Sequence, residues 1–277
     1  MLKRLLILLG ETPSSVAARA YAFRLARQTE AEVAGFAGID LSYIEAPMPG
    51  GIGAASYKAK LEEQLTRQAD GARRRLHDAF EAECRSHQLP FEWLSFTGDP
   101  IEALYLATEV RDLVVTGHDT AFRGGVREKY SETLAKLLSL TPRPVIVCPD
   151  EIPAGDEIMV AYDGSVAAMR AVQMFALLGI GRGKRISVTS IDAAQELAVR
   201  RVTAAAAYLR SHDYDVETNP IASGVHPSEV LTIEIASRKT GTLVMGAYGH
   251  RGFREFLFGS TTNGLVENPP CPLFVYH

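Results

Sequence analysis

The stretch Thr242-Leu-Val-Met-Gly-Ala-Tyr-Gly249, followed after nine residues by Gly259-Ser-Thr261, decides the fold of this chain. It opens with a short apolar run that is typical of a buried strand. The segment from Ser260 to Glu267 has the pattern of a short helix that begins near Ser260. A strand, a glycine turn and a helix N-terminus together form an anion site, because glycine lets the backbone approach a phosphate and the first helical N–H groups point at it.

The spacing of these glycines differs from the two best-known phosphate-binding motifs. No Gly-Lys-Ser/Thr is present, as a Walker A loop requires, and the glycines do not follow the dinucleotide pattern Gly-x-Gly-x-x-Gly. From the glycines alone a second interpretation stays open, in which Gly246, Gly249 and Gly252 only shape a flexible surface loop.

Composition narrows the functional classes. The chain has 277 residues, of which 47% are hydrophobic, enough for one sizeable core or two smaller ones. The net charge of −4 argues against a nucleic-acid partner, which usually needs a basic surface. The basic run Arg73-Arg-Arg75 is interpreted as a solvated helix face. No apolar run reaches the roughly 20 residues of a membrane span, so no membrane partner is expected.

Two further features indicate a cytoplasmic protein. The apolar N-terminus from Met1 to Leu9 is interpreted as a first buried strand rather than a signal peptide, since no small-residue cleavage site follows it. The three cysteines, Cys84, Cys148 and Cys271, are odd in number and widely spaced, which favours reduced thiols. Cys84 and His87 lie one helical turn apart, but no second pair of metal ligands accompanies them, so no metal site is predicted.

Strands and helices alternate along the whole chain, which predicts a parallel sheet covered by helices on both faces. The same order of elements occurs twice, and some letters recur with it. Ser15-Val-Ala-Ala18 matches Ser165-Val-Ala-Ala168, Ile39-Asp40 matches Ile191-Asp192, and Pro144-Val-Ile-Val147 resembles Pro272-Leu-Phe-Val275. We therefore expect two tandem domains, residues 1–150 and 151–277, divided within Pro149–Asp156. A single large domain is the alternative.

The repeated unit, the turn Tyr162-Asp-Gly-Ser165 and the pattern Gly-x2-Gly-x9-Gly-Ser together resemble the universal stress protein family, over nearly the whole chain. The resemblance implies an α/β fold of two tandem five-stranded parallel sheets in the order 3-2-1-4-5, of the adenine nucleotide alpha hydrolase-like type. It also implies that the last strands, Pro144 to Cys148 and Pro272 to Tyr276, pair within one chain as an internal pseudo-dimer. Whether two chains form a homodimer stays open.

The resemblance implies an ATP site in the second half only, at the carboxyl ends of its strands. Its residues fall into three groups. Ala161, Tyr162, Asp163 and Ser190 would surround the adenosine; Met245, Gly246, Gly249 and His250 the ribose and first phosphates; Gly259, Ser260 and Thr261 the outer phosphates. Asp163 and Asp192 are candidates to hold Mg²⁺ together with the ATP.

The first half departs from this pattern. By sequence, Thr116 stands at the position of Gly246, Asp119 at that of Gly249 and Tyr130 at that of Gly259, while Glu11 replaces Asp163. A carboxylate repels a phosphate, and a tyrosine blocks close approach to the backbone. We therefore expect no ATP in the first half.

The leading hypothesis is a non-catalytic regulator or sensor of the stress response that binds ATP in its second half and acts on an unknown protein partner. No Gly-x-Ser-x-Gly or His-Glu-x-x-His motif is present, so no catalytic residues are predicted. Two alternatives stay open: a slow ATPase or phosphotransferase, and a pseudo-dimeric scaffold that binds no nucleotide.

Overall fold

The computed structural model describes residues 1–45, 54–123, 132–247 and 260–277. The strands of the first half are β1 (Arg4–Leu8), β2 (Glu32–Asp40), β3 (Phe91–Gly98), β4 (Leu113–Gly117) and β5 (Val145–Cys148). Those of the second half are β6 (Glu157–Ala161), β7 (Arg185–Asp192), β8 (Asp215–Ala222), β9 (Thr240–Gly246) and β10 (Leu273–Tyr276).

The helices alternate with these strands, as the sequence predicted. They are α1 (Pro13–Thr29), α2 (Leu41–Ile44), α3 (Ala54–Ser86), α4 (Pro100–Thr108), α5 (Glu132–Leu140), α6 (Val166–Leu178), α7 (Gln195–Arg210), α8 (Pro227–Arg238) and α9 (Ser260–Glu267). Only the single turn α2 was not indicated by the sequence; the Asp40 carboxylate caps it by accepting from Tyr43 N at 3.2 Å. The predicted loop from Pro47 to Gly53 lies outside the described residues.

The two halves share one continuous sheet of ten strands, in the order β3-β2-β1-β4-β5-β10-β9-β6-β7-β8. Within each half the strands are parallel and follow the expected order 3-2-1-4-5. The junction is the antiparallel pair β5–β10, in which Leu273 lies opposite Val147 and Val275 opposite Val145. The pairing of the last strands is thus confirmed, and it merges the two expected sheets into one.

The apolar core lies on both faces of this sheet and is common to the two halves. On one face, strand residues such as Leu5 and Phe274 pack with residues of α1, α3, α6 and α7, among them Phe80 and Phe175. On the other face, strand residues such as Leu273 pack with residues of α4, α5, α8 and α9, among them Leu104. Polar contacts also cross between the halves, since the Tyr21 and Thr242 hydroxyls share a hydrogen bond of 3.1 Å.

Among the described residues, no helix combines the length and the apolar character needed to cross a membrane. The three cysteines are buried and unpaired, and burial raises the pKa of Cys84 and Cys271 to about 12 and that of Cys148 further. They therefore pack as small apolar residues.

Candidate nucleotide site in the second half

The carboxyl ends of β6 and β9 are neighbours in the sheet, because these strands pair in parallel with Val160 opposite Val244. The predicted residues that directly follow this pair therefore lie side by side: Ala161 to Asp163 on one strand end, Met245 and Gly246 on the other. Such a meeting of strand ends is where ligands bind in open parallel sheets. The structure thus brings these five predicted residues together.

Asp163 lies in a tight turn between β6 and α6. One oxygen of its carboxylate, Oδ1, accepts from Ser165 N at 2.9 Å, and Gly164 adopts a φ of +77° that suits glycine. Ser165 caps α6 by accepting from Ala168 N at 3.1 Å. Among the described residues, nothing bonds the second Asp163 oxygen, so this acceptor remains available to a ligand.

Gly246 is required by packing as well as by the motif. A Cβ at this position would lie 2.5 Å from Ala168 N and 2.7 Å from the carbonyl carbon of Ala167, at the start of α6. The side chain of the neighbouring Met245 is 5% exposed and belongs to the apolar core. Any contact of Met245 with a ligand would therefore come from its main chain.

Ser190 lies near the end of β7 and is 1% exposed. Its hydroxyl finds no hydrogen-bond partner within the part of the chain that the structure describes. A buried hydroxyl without a partner costs free energy, so it marks a position where a polar partner is expected. Tyr162 is half-buried and directly follows β6, the strand that neighbours β7 in the sheet. Burial, together with the charge of Asp163, raises the pKa of Tyr162.

Arg201 joins this group although no motif in the sequence indicated it. Its Nη1 donates to Asp192 Oδ2 at 2.7 Å, which fixes the guanidinium of an α7 residue at the end of β7. The N–H of Ala194, and then Arg201, lower the pKa of Asp192. An arginine on a helix after a strand fits no local motif, so only the fold could reveal it.

The remaining predicted residues are at the edge of what is described. Gly249, His250 and Gly259 lie outside the described residues. The backbone of Ser260 and Thr261 forms the beginning of α9, where the sequence placed a helix start. The outer-phosphate part of the site therefore stays a prediction.

The structure corrects the alignment of the first half with the second. The residue after Gly117, His118, donates its N–H to Cys148 O in the last strand of the first half. The residue after Gly246, Ala247, makes the equivalent bond to Tyr276 O in the last strand of the second half. Both glycines also pack against the start of a helix, Gly117 against Ser15 N and Gly246 against Ala168 N. Gly117, not Thr116, therefore corresponds to Gly246, and Asp119 lies one residue before the position of Gly249.

The turn after the first strand is shifted in the same way. Thr12 caps α1 as Ser165 caps α6, so the recurring letters Ser-Val-Ala-Ala are out of structural register. Gly10, rather than Glu11, consequently occupies the position of Asp163. The first half has no carboxylate there, which still agrees with the expectation that it differs from the second half. Tyr130 lies outside the described residues.

The crevice of the first half is filled by the chain's own side chains. The Asp119 carboxylate accepts from the hydroxyls of Thr12, at 2.7 Å, and of Ser14. Phe122 packs edge-on against Phe36 and Phe96, with ring centroids 5.4 and 5.1 Å away. A cavity of about 40 Å³ remains, far below the several hundred Å³ of a ligand pocket.

Arg123 closes the crevice on its outer side. Its Nε lies 3.3 Å from Asp40 Oδ2, and its guanidinium lies 4.6 Å from the centre of the Tyr43 ring. Asp40 is 2% exposed, so this ion pair is shielded from water on the side of the carboxylate. The arginine beside the first crevice, Arg123, thus lies in the segment after β4. In the second half, the arginine that pairs with Asp192 lies on α7 instead.

One cluster with metal-ligand chemistry was not predicted. His118, Asp119 and Asp150 place ligand atoms within 4.8 Å of one another, at the ends of β4 and β5. His118 Nε2 lies 3.4 Å from Asp150 Oδ1, and Asp119 is already held by two hydroxyls. The His118–Asp150 contact and the cap hydroxyls that bind Asp119 hold this cluster together.

Comparisons with known proteins agree with this architecture. Residues 156–277 match the universal stress protein family. A universal stress protein of Synechocystis sp. is 20% identical over 167 residues, which is 60% of this chain and 58% of that protein.

Solved structures show the same fold over the full chain. A universal stress protein of Archaeoglobus fulgidus superposes with a TM-score of 0.67 at 17% identity, covering 99% of this chain and 97% of that one. A functionally unknown protein of Pseudomonas aeruginosa PAO1 gives a TM-score of 0.61 at 13% identity, covering 99% and 92%. The second half of the chain thus matches the universal stress protein family, and the whole chain has the fold of a tandem universal stress protein structure.

Proposed function

We propose that this chain is a universal stress protein that binds ATP in its second half and acts as a nucleotide-dependent regulator or sensor. The proposal treats residues 1–150 and 151–277 as two domains, of which only the second takes the nucleotide. Binding beside the glycine motif would change a surface that an unknown protein partner recognises.

The single observation that carries the proposal is the contrast between the two strand-end crevices. In the second half, Asp163 keeps an unbonded oxygen and Ser190 an unpartnered buried hydroxyl among the described residues. In the first half, the Asp119 carboxylate, Phe122 and Arg123 line the equivalent space, of which about 40 Å³ remains. A nucleotide needs polar partners and a pocket of several hundred Å³, so the open polar groups favour the second half and the small cavity disfavours the first.

The same residues indicate how Mg²⁺ would be held if it accompanies the nucleotide. Asp192 is already paired with Arg201, whereas Asp163 has a free carboxylate oxygen among the described residues. Carboxylate oxygens are the protein ligands that Mg²⁺ prefers, usually one or two together with phosphate oxygens. Asp163 is therefore the better of the two candidates.

Isothermal titration calorimetry tests the proposal. We expect one ATP per chain in the wild type and no measurable binding in Gly259→Glu, because a carboxylate at the motif's last glycine would repel the phosphates. Gly224→Glu is the matched control: Gly224 follows β8 with open space around its Cα, so the same charge change should leave ATP binding intact. Two sites per chain, or none, would refute the proposal.

A further inference from the structure

Arg201 lies against the turn that carries Asp163, yet it is no part of the glycine motif. Its side chain runs across Gly164: a Cβ built on Gly164 would be 3.4 Å from Arg201 Nε and 3.8 Å from its Cδ. Because Gly164 has no side chain, the arginine takes the space beside this turn. Arg201 is thus held at the end of the crevice between β6 and β7.

Most of the hydrogen-bonding capacity of Arg201 is unused. The bond from Nη1 to Asp192 is the one hydrogen bond that Arg201 makes among the described residues. A guanidinium carries five N–H donors, and this side chain is only 17% exposed. The donors on Nε and Nη2 therefore lie in a partly desolvated place, where a ligand acceptor is worth more than at an open surface.

The internal repeat shows that this arginine distinguishes the two halves. Leu89 N donates to Cys84 O after α3, and Tyr214 N donates to Leu209 O after α7, so the two helix ends superpose. That register places Leu76 at the position of Arg201. Leu76 packs against the core beside the filled crevice, so the first half has an apolar residue where the second half has a cation.

We propose that Arg201 is a nucleotide-binding residue of the second half, and that Asp192 is the positioning residue that orients its guanidinium. This inference rests on the proposed function. β7 and β9 lie on opposite sides of β6, so Arg201 is remote from the strand that leads into the glycine motif. Arg201 therefore meets the nucleoside, whose ring nitrogens and ribose oxygens are acceptors for a group that only donates.

Calorimetric titration with two ligands, ATP and adenosine, tests this placement. We expect Arg201→Ala to bind both ligands about tenfold more weakly, the loss typical of one hydrogen bond to a charged group. The loss should be equal for the two ligands, because adenosine lacks the phosphates. Arg200→Ala removes the same charge from an exposed position on the same helix, and we expect its affinities to stay within about twofold of wild type.

Asp192→Asn separates the two roles. We expect it to weaken adenosine binding less than Arg201→Ala does, because the guanidinium remains present but less well oriented. A greater loss in Asp192→Asn would make Asp192 itself the ligand contact and overturn its positioning role. Far-ultraviolet circular dichroism of each variant, at the titration temperature, establishes that the fold is intact.

Two other results would overturn the inference while leaving the proposed function in place. Unchanged affinities in folded Arg201→Ala would make the arginine a structural partner of Asp192 only. Weaker ATP binding with unchanged adenosine binding would place the guanidinium on the phosphates. Absence of binding by the wild type to either ligand would instead refute the proposed function, and this inference with it.

Discussion

At the scale of single residues, the second-half crevice is defined by polar groups that the described residues leave incompletely bonded. Asp163 and Ser190 were predicted from the family resemblance, and the structure places them at neighbouring strand ends. Asp192 differs from them because its carboxylate already accepts from Ala194 N and Arg201 Nη1. These bonds stabilise the charged form, which explains the direction of its pKa shift.

The lowered pKa of Asp192 predicts how acid affects the fold. A carboxyl whose pKa is lower in the folded state stabilises the protein fully above its ordinary value of 3.8, and this contribution is lost as the pH falls through the folded pKa. We therefore expect Asp192→Asn to be less stable than wild type at neutral pH, with the difference shrinking below pH 3.8. Urea unfolding at a series of pH values measures this difference.

Asp215→Asn is the control for that experiment, since Asp215 is exposed at the start of β8. Because that side chain is exposed, its replacement should change the free energy of unfolding by less than about 0.5 kcal/mol. A gap between wild type and Asp192→Asn that is constant down to strongly acidic pH would contradict the assigned bonds.

At the scale of elements, the packing of β4 against α1 and of β9 against α6 explains why the fourth strand of each half ends in glycine. Gly117 and Gly246 each face the backbone at the start of a helix, and a Cβ would overlap it. A glycine at this place is therefore explained by helix–strand packing alone, with or without a phosphate. Gly117 in the first half, whose crevice is filled, supports that structural reason.

Gly246→Ala consequently tests packing rather than ligand binding. The added methyl group would meet backbone atoms that cannot rotate away, so we expect a loss of about 1–3 kcal/mol in the free energy of unfolding. Denaturant unfolding without nucleotide measures it. Gly224→Ala, with open space around it, should change the free energy by less than about 0.5 kcal/mol. A Gly246→Ala variant as stable as wild type would contradict the close approach of β9 to α6.

At the scale of the whole molecule, the two halves share their sheet and both faces of its core. The β5–β10 pair joins the halves by backbone hydrogen bonds, and Phe274 of the last strand lies fully buried at 5.7 Å from the Phe175 ring. Side chains of both halves contribute to each core cluster. This continuity predicts that the halves unfold together, as small cooperative units do.

Phe274→Ala tests that cooperativity from a distance. We expect it to lower the free energy of unfolding by about 3–5 kcal/mol, the usual result of removing a buried phenyl ring. The chain has one tryptophan, Trp93, in the edge strand β3 of the first half, so its fluorescence reports on the half that is not mutated. In Phe274→Ala, the unfolding midpoint measured by Trp93 fluorescence should shift as far as the midpoint measured by circular dichroism. A fluorescence transition that stays in place would show that the halves unfold separately.

The sequence by itself determined the alternation of strands and helices, the doubling of the unit and the place of the glycine motif. These features depend on local patterns: apolar runs, caps such as Ser165, and turn residues such as Gly164. It also indicated the pairing of β5 with β10, through the family resemblance. The letter matches gave the correct register for the last strands, where Pro144 corresponds to Pro272. They gave the wrong register for the first turn, where Thr12 rather than Ser15 corresponds to Ser165.

Only the tertiary structure showed that the first crevice is filled by the chain's own side chains and that an arginine of α7 lies beside the second. Phe122 and Arg123 fill the first crevice through contacts with Phe36, Asp40 and other residues far away in the chain. Arg201 reaches the second crevice because α7 packs beside β7 and because Gly164 leaves space for it. Such contacts follow from the crossing of helices over the sheet, and no local pattern of residues specifies them.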